Sequence, residues 1–282
     1  MKILTFDIED WFHILDNNST KTEKEWGNFK PRIHENMDRI FQILEKNNTK
    51  ASFFVLGWIA EKYPEVVKEI KERGYEIGSH THLHQLVYNQ NRNEFYQDVD
   101  RSIKTLQDIS GDHVKMFRAP GFSIKENNKW AFEVLYDLGI RIDSSVFPTG
   151  RSHGGMPSYA SSKPSLLNYN GITIKEFPIN THKILSKSFI YSGGGYFRLL
   201  PYTVIKKFSN ESEYIMSYFH PRDFDYKQPM IEDLSIFRKF KSYVGLKSST
   251  NKLNNWLFDF DFSDISQADN KICWDNVKKI NL

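Results

Sequence analysis

The 282-residue chain contains one cysteine, Cys273, which excludes an intramolecular disulfide framework and a multi-cysteine zinc site. A lone thiol of this kind is expected to be a small, buried apolar side chain. No apolar run approaches the roughly 18 residues of a membrane-spanning helix. An excess of either charge is lacking too: 38 basic against 35 acidic residues leave a formal net charge of +3. The lysines are scattered rather than gathered into the stripe that nucleic-acid binding uses, so no nucleic-acid partner is expected. The glycine-rich run Ser192-Gly193-Gly194-Gly195 lacks the Lys-Ser/Thr of a phosphate-binding loop. Met1-Lys2 leads straight into an apolar run with an acidic cluster behind it, not into a secretory leader, and a cytoplasmic location is expected.

What is present is length, aromatic content and alternation. The length suits one large domain with a full core. Aromatics make up 15% of residues; most should pack inside, with the remainder available to stack on sugar rings. Apolar runs at 3–6, 51–56, 75–79, 114–117, 140–143 and 172–177 read as strands. Helical periodicity joins them, notably over 33–44, 58–73, 95–109 and 127–138, with Gly74, Gly111 and Gly139 as stops. Repeated strand–helix units imply a parallel sheet, and candidate functional residues follow strands, where (β/α) barrels carry active sites. An α/β fold is expected, a distorted barrel of seven or eight strands. The stretch from about Asp16 to Pro31 and that from Thr149 to Asn170 read as loops. Tyr214–Phe219 reads as a late strand, and one helix to about Val244 precedes a polar tail with an aromatic patch at 256–262. No repeat and no second domain is visible.

Two histidines four apart, His80 and His84, would share one side of a helical turn and could share one metal ion. The cluster Asp7-Ile8-Glu9-Asp10 follows the first strand. Two imidazoles and one carboxylate form a common hydrolytic arrangement, in which a metal activates water and polarises a carbonyl. These residues predict a metal-dependent hydrolase.

Five segments stand together in order: Thr5-Phe6-Asp7 with Glu9 and Asp10, His80-x-x-x-His84, Arg118-x-Pro120-Gly121, Asp143-Ser144-Ser145, and Tyr218-Phe219-His220-Pro221. This series resembles the motifs of the polysaccharide deacetylases, carbohydrate esterase family 4 with its NodB homology domain. The resemblance covers roughly residues 1–225 and leaves 226–282 as an extension packed on the same domain. The Gly193–Gly195 segment and the tail are similar to a branch found with exopolysaccharide and surface-glycan biosynthesis.

The resemblance implies removal of an N-acetyl group from an N-acetylated sugar. It implies Asp7 as general base, and Glu9 as metal carboxylate because it shares a strand face with Asp7, with Asp10 as the rival. It further implies His80 and His84 as metal ligands, with His82 outside the pattern in a solvent-facing or structural role. Arg118 would hold Asp7 by a charge-assisted hydrogen bond, and the Gly121 N–H would be an oxyanion donor. His220 would be general acid, oriented by Asp143. Two nitrogens and one oxygen favour zinc, with cobalt or iron fitting the same ligands. Gly194, Tyr196 and Arg198 are candidate substrate contacts on a loop, against a structural hairpin in which Arg198 pairs with a carboxylate. Rival readings are an allantoinase-like cyclic-amide hydrolase on the same scaffold and a non-catalytic carbohydrate-binding protein.

Overall fold

The computed structural model describes residues 1–15, 17–150, 153–184 and 187–282. Asp16, where the first polar stretch begins, and residues 151 and 152 of the long loop lie outside them. In chain order the strands are β1 (Lys2–Ile3), β2 (Thr5–Ile8), β3 (Ser52–Val55), β4 (Glu76–Ser79), β5 (Met116–Phe117), β6 (Ile142–Asp143), β7 (Ser165–Tyr169) and β8 (Ile172–Glu176). A hairpin of β9 (His182–Ile184) and β10 (Lys187–Phe189) follows, then β11 (Ile215–Met216) and β12 (Lys279–Asn281).

The main sheet runs β12-β7-β8-β6-β5-β4-β3-β2, and every step from β8 to β2 is parallel. Beyond β2 the chain adds β11, which pairs parallel with β1 and reaches β2 through a Phe6–Phe219 bridge. The result is a distorted α/β barrel. Strands β2 and β3 are buried throughout, as parallel strands covered on both faces must be. Alternation along β2 sorts the side chains. Phe6 and Ile8 join the large cluster between sheet and helices, while Thr5 and Asp7 take part in the polar network around Arg118. A smaller cluster that includes Ile3, Phe54, Met116, Ile142, Phe177 and Met216 underlies that network, with the Arg118 guanidinium 4.2 Å from the Phe54 ring centre.

Local chemistry explains where elements differ from the sequence expectation. The helix expected over 58–73 is two, Gly57–Lys62 and Pro64–Glu72, because Pro64 cannot continue the first but suits the first turn of the second. The helix Arg92–Ser110 starts at an Asn91–Glu94 capping box and ends at Gly111 with φ of 72°. The tail is not simply polar chain. Residues Leu246–Asp259 and Ile265–Lys271 are helical, Trp256 is fully buried, and β12 pairs with β7 in the main sheet. Cys273 is exposed, contrary to the expected burial.

Candidate active site

Strand ends converge to form the site. Thr5, Asp7 and Glu9 are contributed by β2 and the residue after it, His80 follows β4, and Arg118 follows β5. Adjacent strands hold these positions in register: the His80 N–H donates to the Val55 carbonyl and the Arg118 N–H to the Ser79 carbonyl, each at 3.0 Å.

One ligand atom from each of Glu9, His80 and His84 lies within 4.8 Å of the other two, and all three residues are buried. His80 Nδ1 is 2.8 Å from the Arg118 carbonyl. A carbonyl can only accept, so Nδ1 carries the proton and Nε2 keeps its lone pair. Burial, the largest influence, pushes the His80 imidazole down to about 4. Among the described residues Glu9 Oε2 has no aligned hydrogen-bond donor, yet it lies 2.7 Å from His84 Nε2. Atoms brought this close while buried need a proton or a cation between them. Burial opposes the Glu9 charge, but His84 and His220 outweigh it and hold the carboxyl down at about 2. Two nitrogens and one anionic oxygen therefore fit a divalent ion.

The histidines do not meet on a helical turn. Residues 80–86 form no helix, and Thr81 and His84 adopt left-handed φ of 65° and 54°. Such values are uncommon outside glycine and concentrate at functional sites. The turn is held by the Asp98 carboxylate, which accepts from the N–H groups of His82 and Leu83 at 3.1 and 2.9 Å, and by the Thr81 hydroxyl, which accepts from the His84 N–H. His82 is fully buried, which excludes the solvent-facing option. Its Nδ1 lies where a Cβ on Gly57 would come within 2.5 Å, so this histidine packs the turn against the neighbouring helix.

Beside these three residues stands Asp7, whose Oδ1 accepts from Arg118 Nη1 at 2.7 Å. Arg118 is fully buried and also donates to the Thr5 hydroxyl, the Ser144 carbonyl and the Ser144 hydroxyl. Next to both carboxylates, His220 Nε2 lies 3.6 Å from Glu9 Oε1 and 4.0 Å from Asp7 Oδ2. Gly121 follows Pro120 with φ of 61°, where a Cβ would crowd Leu15 and Leu86 at 2.9 and 3.0 Å.

Three sequence expectations need correction. Asp10 lies outside the donor set: its carboxylate accepts from the N–H groups of Trp11, Arg32 and Ile33 and so anchors the start of the helix Ile33–Lys46. Asp143 does not orient His220. It accepts from the Ser145 N–H and hydroxyl, and its carboxyl hydrogen-bonds Glu176, deep in the sheet. The carboxylate at His220 Nδ1 is Asp223, 3.1 Å away, which also accepts from the His220 N–H. Burial resists protonation of His220, but Glu9 first and then Asp223 outweigh it, and the imidazole is pushed up to about 9.

Lastly, Gly193–Arg198 is neither open loop nor hairpin but leads into the helix Gly194–Leu199. The glycines admit Tyr218 rather than a ligand, since a Cβ on Gly193 would lie 2.0 Å from the Tyr218 carbonyl oxygen. Arg198 is buried, pairs with Asp223 at 2.9 Å and donates to the carbonyls of Lys241, Ser242 and Val244. Tyr196 is half-exposed.

Sequence reasoning also passed over His13. Its Nδ1 accepts from the Asp10 N–H at 2.8 Å, so the neutral ring carries its proton on Nε2. Burial holds it down at about 3, and its ring centre is 6.2 Å from that of His84. A cavity of about 300 Å³ opens here, lined in part by His13, Asn17, Lys21, Trp26, His84 and Asn89.

Residues 3–142 match the family described as polysaccharide deacetylase. The N-terminal half of the chain belongs to the polysaccharide deacetylase family. Residues 144–270 match a family described as a domain of unknown function, DUF3473. A peptidoglycan-N-acetylglucosamine deacetylase of Bacillus cereus is 38% identical over 96 residues, 34% of this chain and 35% of that protein. Chitin deacetylase 1 of Saccharomyces cerevisiae is 32% identical over 98 residues, 35% of this chain and 32% of its own length. The chain thus spans about a third of the length of these curated relatives. A Mycobacterium smegmatis crystal structure provisionally assigned as a polysaccharide deacetylase superposes with a TM-score of 0.67 at 17% identity, covering 100% of this chain and 92% of that one. That likeness establishes the fold.

Proposed function

We propose that this protein is a metal-dependent deacetylase that hydrolyses the acetamide of an N-acetylated sugar. One observation carries the reading: a buried Glu9–His80–His84 donor set stands beside a carboxylate fixed by Arg118 and an imidazole fixed by Asp223. A divalent ion bound by Glu9, His80 and His84, with zinc the best match to these donors, would polarise the amide carbonyl and make water a better nucleophile.

The chain's own groups account for the proton traffic. Asp7, its Oδ1 engaged by Arg118, would accept a proton from the attacking water at Oδ2, the oxygen 4.0 Å from His220 Nε2. Attack on the amide carbon places negative charge on the former carbonyl oxygen, for which the Gly121 N–H is the proposed donor. His220, its Nδ1 held by the Asp223 carboxylate, then gives its Nε2 proton to the departing amine, and acetate is released. Asp7 Oδ2 and Glu9 Oε1 lie 4.0 and 3.6 Å from His220 Nε2, so a group able to take a proton and one able to deliver it both border the donor set.

Of the relatives, the Bacillus cereus protein is a peptidoglycan-N-acetylglucosamine deacetylase and the Saccharomyces cerevisiae protein a chitin deacetylase. For this chain the proposed class is an N-acetylated amino sugar bound in the cavity beside His84, with Trp26 as an aromatic wall and Lys21 as a cation at its rim. Acetate release tested over N-acetylhexosamine oligomers, nucleotide sugars, lipid-linked sugars and a cyclic amide would check this. Release from at least one sugar class and none from the cyclic amide supports the reading, whereas ring opening of the amide alone would replace it.

A further inference from the structure

A short helix beside the cavity carries a face that the fold does not cover. In Ile236–Tyr243 no residue is buried, and Ile236, Phe237 and Phe240 are 88%, 65% and 54% exposed. With roughly 100° between successive helical residues, these three share a single arc. Met230, 58% exposed, lies just before the helix. Isolated exposed apolar residues are ordinary, but three large ones on one projecting arc mark an interaction surface.

The charges around the arc state what kind of surface it fits. Residues 236–243 contain Arg238, Lys239 and Lys241 and no acidic residue. Lys239 and Lys241 flank the arc on its two sides, and the Lys241 ammonium lies 4.5 Å from the Phe237 ring centre. Lys227 and Lys247 are exposed nearby. Of the acidic residues just upstream, Asp233 accepts from the Ser19 hydroxyl, and Glu232 is exposed. A projecting apolar arc with flanking lysines combines insertion between acyl chains with attraction to anionic headgroups.

We propose that Ile236, Phe237 and Phe240, flanked by Lys239 and Lys241, seat this protein on an anionic lipid surface. The position of the helix gives that docking a purpose. Arg238 donates to the Leu15 carbonyl, and Asp233 bonds Ser19, so the helix is tied to the segment that contributes Leu15, Asn17 and Asn18 to the cavity wall. Docking through this face brings the cavity beside the bilayer, where a membrane-attached glycan would be within reach.

The test is co-sedimentation of the full chain with vesicles, a readout that does not depend on whether the protein deacetylates anything. Binding to phosphatidylglycerol–phosphatidylcholine vesicles is expected, weakening with salt, with little binding to phosphatidylcholine alone. The Ile236→Ser, Phe237→Ser, Phe240→Ser triple variant should lower partitioning by about tenfold or more, and Lys239→Glu with Lys241→Glu should act on the anionic vesicles specifically. Unchanged thermal melting of both variants would show that the fold is intact. Equal binding by variant and parent, or no binding to either vesicle, would overturn the proposal. So would a dimer in velocity sedimentation that the triple variant dissolves, because that would give the face to a second copy of the chain.

Discussion

Asp223 lies 3.1 Å from Nδ1 of His220 and 2.9 Å from the guanidinium of Arg198, so one buried carboxylate joins the proposed general acid to a cation on the helix Gly194–Leu199. Burial resists the Asp223 charge, but Arg198 and then His220 outweigh it and hold its carboxyl below the usual carboxylate range. Asp223→Asn should therefore lower kcat by about 10² or more, within the range for impaired acid catalysis, and leave bound metal unchanged. Its pH–rate profile should lose activity at lower pH than the parent, since His220 would no longer be held protonated by that charge. An unchanged profile would remove Asp223 from the mechanism.

Arg198→Ala should act through the same carboxylate rather than through substrate affinity. Removing one partner of a buried ion pair leaves the other uncompensated and typically costs about 3–5 kcal/mol. A clearly lowered Tm is expected, with kcat reduced and KM little altered. A raised KM with an unchanged Tm would return Arg198 to the substrate.

The two sides of Glu9 should separate by metal content. His80→Ala and Glu9→Gln should each lose the metal, measured by elemental analysis of purified protein. Asp7→Asn should keep it and lose turnover by about 10²–10⁴, because Asn cannot accept the proton from water. Asp10→Asn should also keep the metal while lowering the melting temperature, since it weakens the anchor of the helix Ile33–Lys46 at a cost of about 1–2 kcal/mol. Loss of metal in the Asp10 variant would reverse the choice between the two neighbours.

Much of the site was legible because β2 imposes strict alternation: once Thr5-Phe6-Asp7 is a strand, Asp7 and Glu9 must share a face, and the apolar Phe6 and Ile8 must take the other. The spacing of His80 and His84 was informative although the conformation inferred from it was not. A turn with two left-handed residues brings their ring centres to 5.3 Å as well as a helical turn would, and nothing local distinguishes the two. Asp223 was missed because the resemblance drew attention to Asp143, a residue of the right type that folds into a different layer. A local signal did exist, a carboxylate three residues after His220 in a position to cap its N–H. The tail was illegible for another reason: its helices bury apolar residues on surfaces formed by segments far away in sequence, such as the Trp256 indole bonding the Ser209 hydroxyl.

The Asp143–Glu176 pair offers a test away from the metal. Burial first and the neighbouring Asp143 next push the Glu176 carboxyl well above its usual value. A carboxyl raised on folding contributes stability that is complete below the unfolded value and is lost as pH rises through the folded one. Glu176→Gln, which resembles the protonated form, should therefore gain in Tm relative to the parent as pH is raised from mildly acidic to alkaline. A difference that stays constant with pH would mean that Glu176 does not titrate on unfolding.

The most direct test is acetate release from N-acetylglucosamine oligomers by purified protein before chelation, after it, and after zinc is restored, with His80→Ala alongside. The account predicts release that chelation abolishes and zinc restores in the parent, and that zinc fails to restore in the variant. Acetate release that survives complete removal of metal would contradict it.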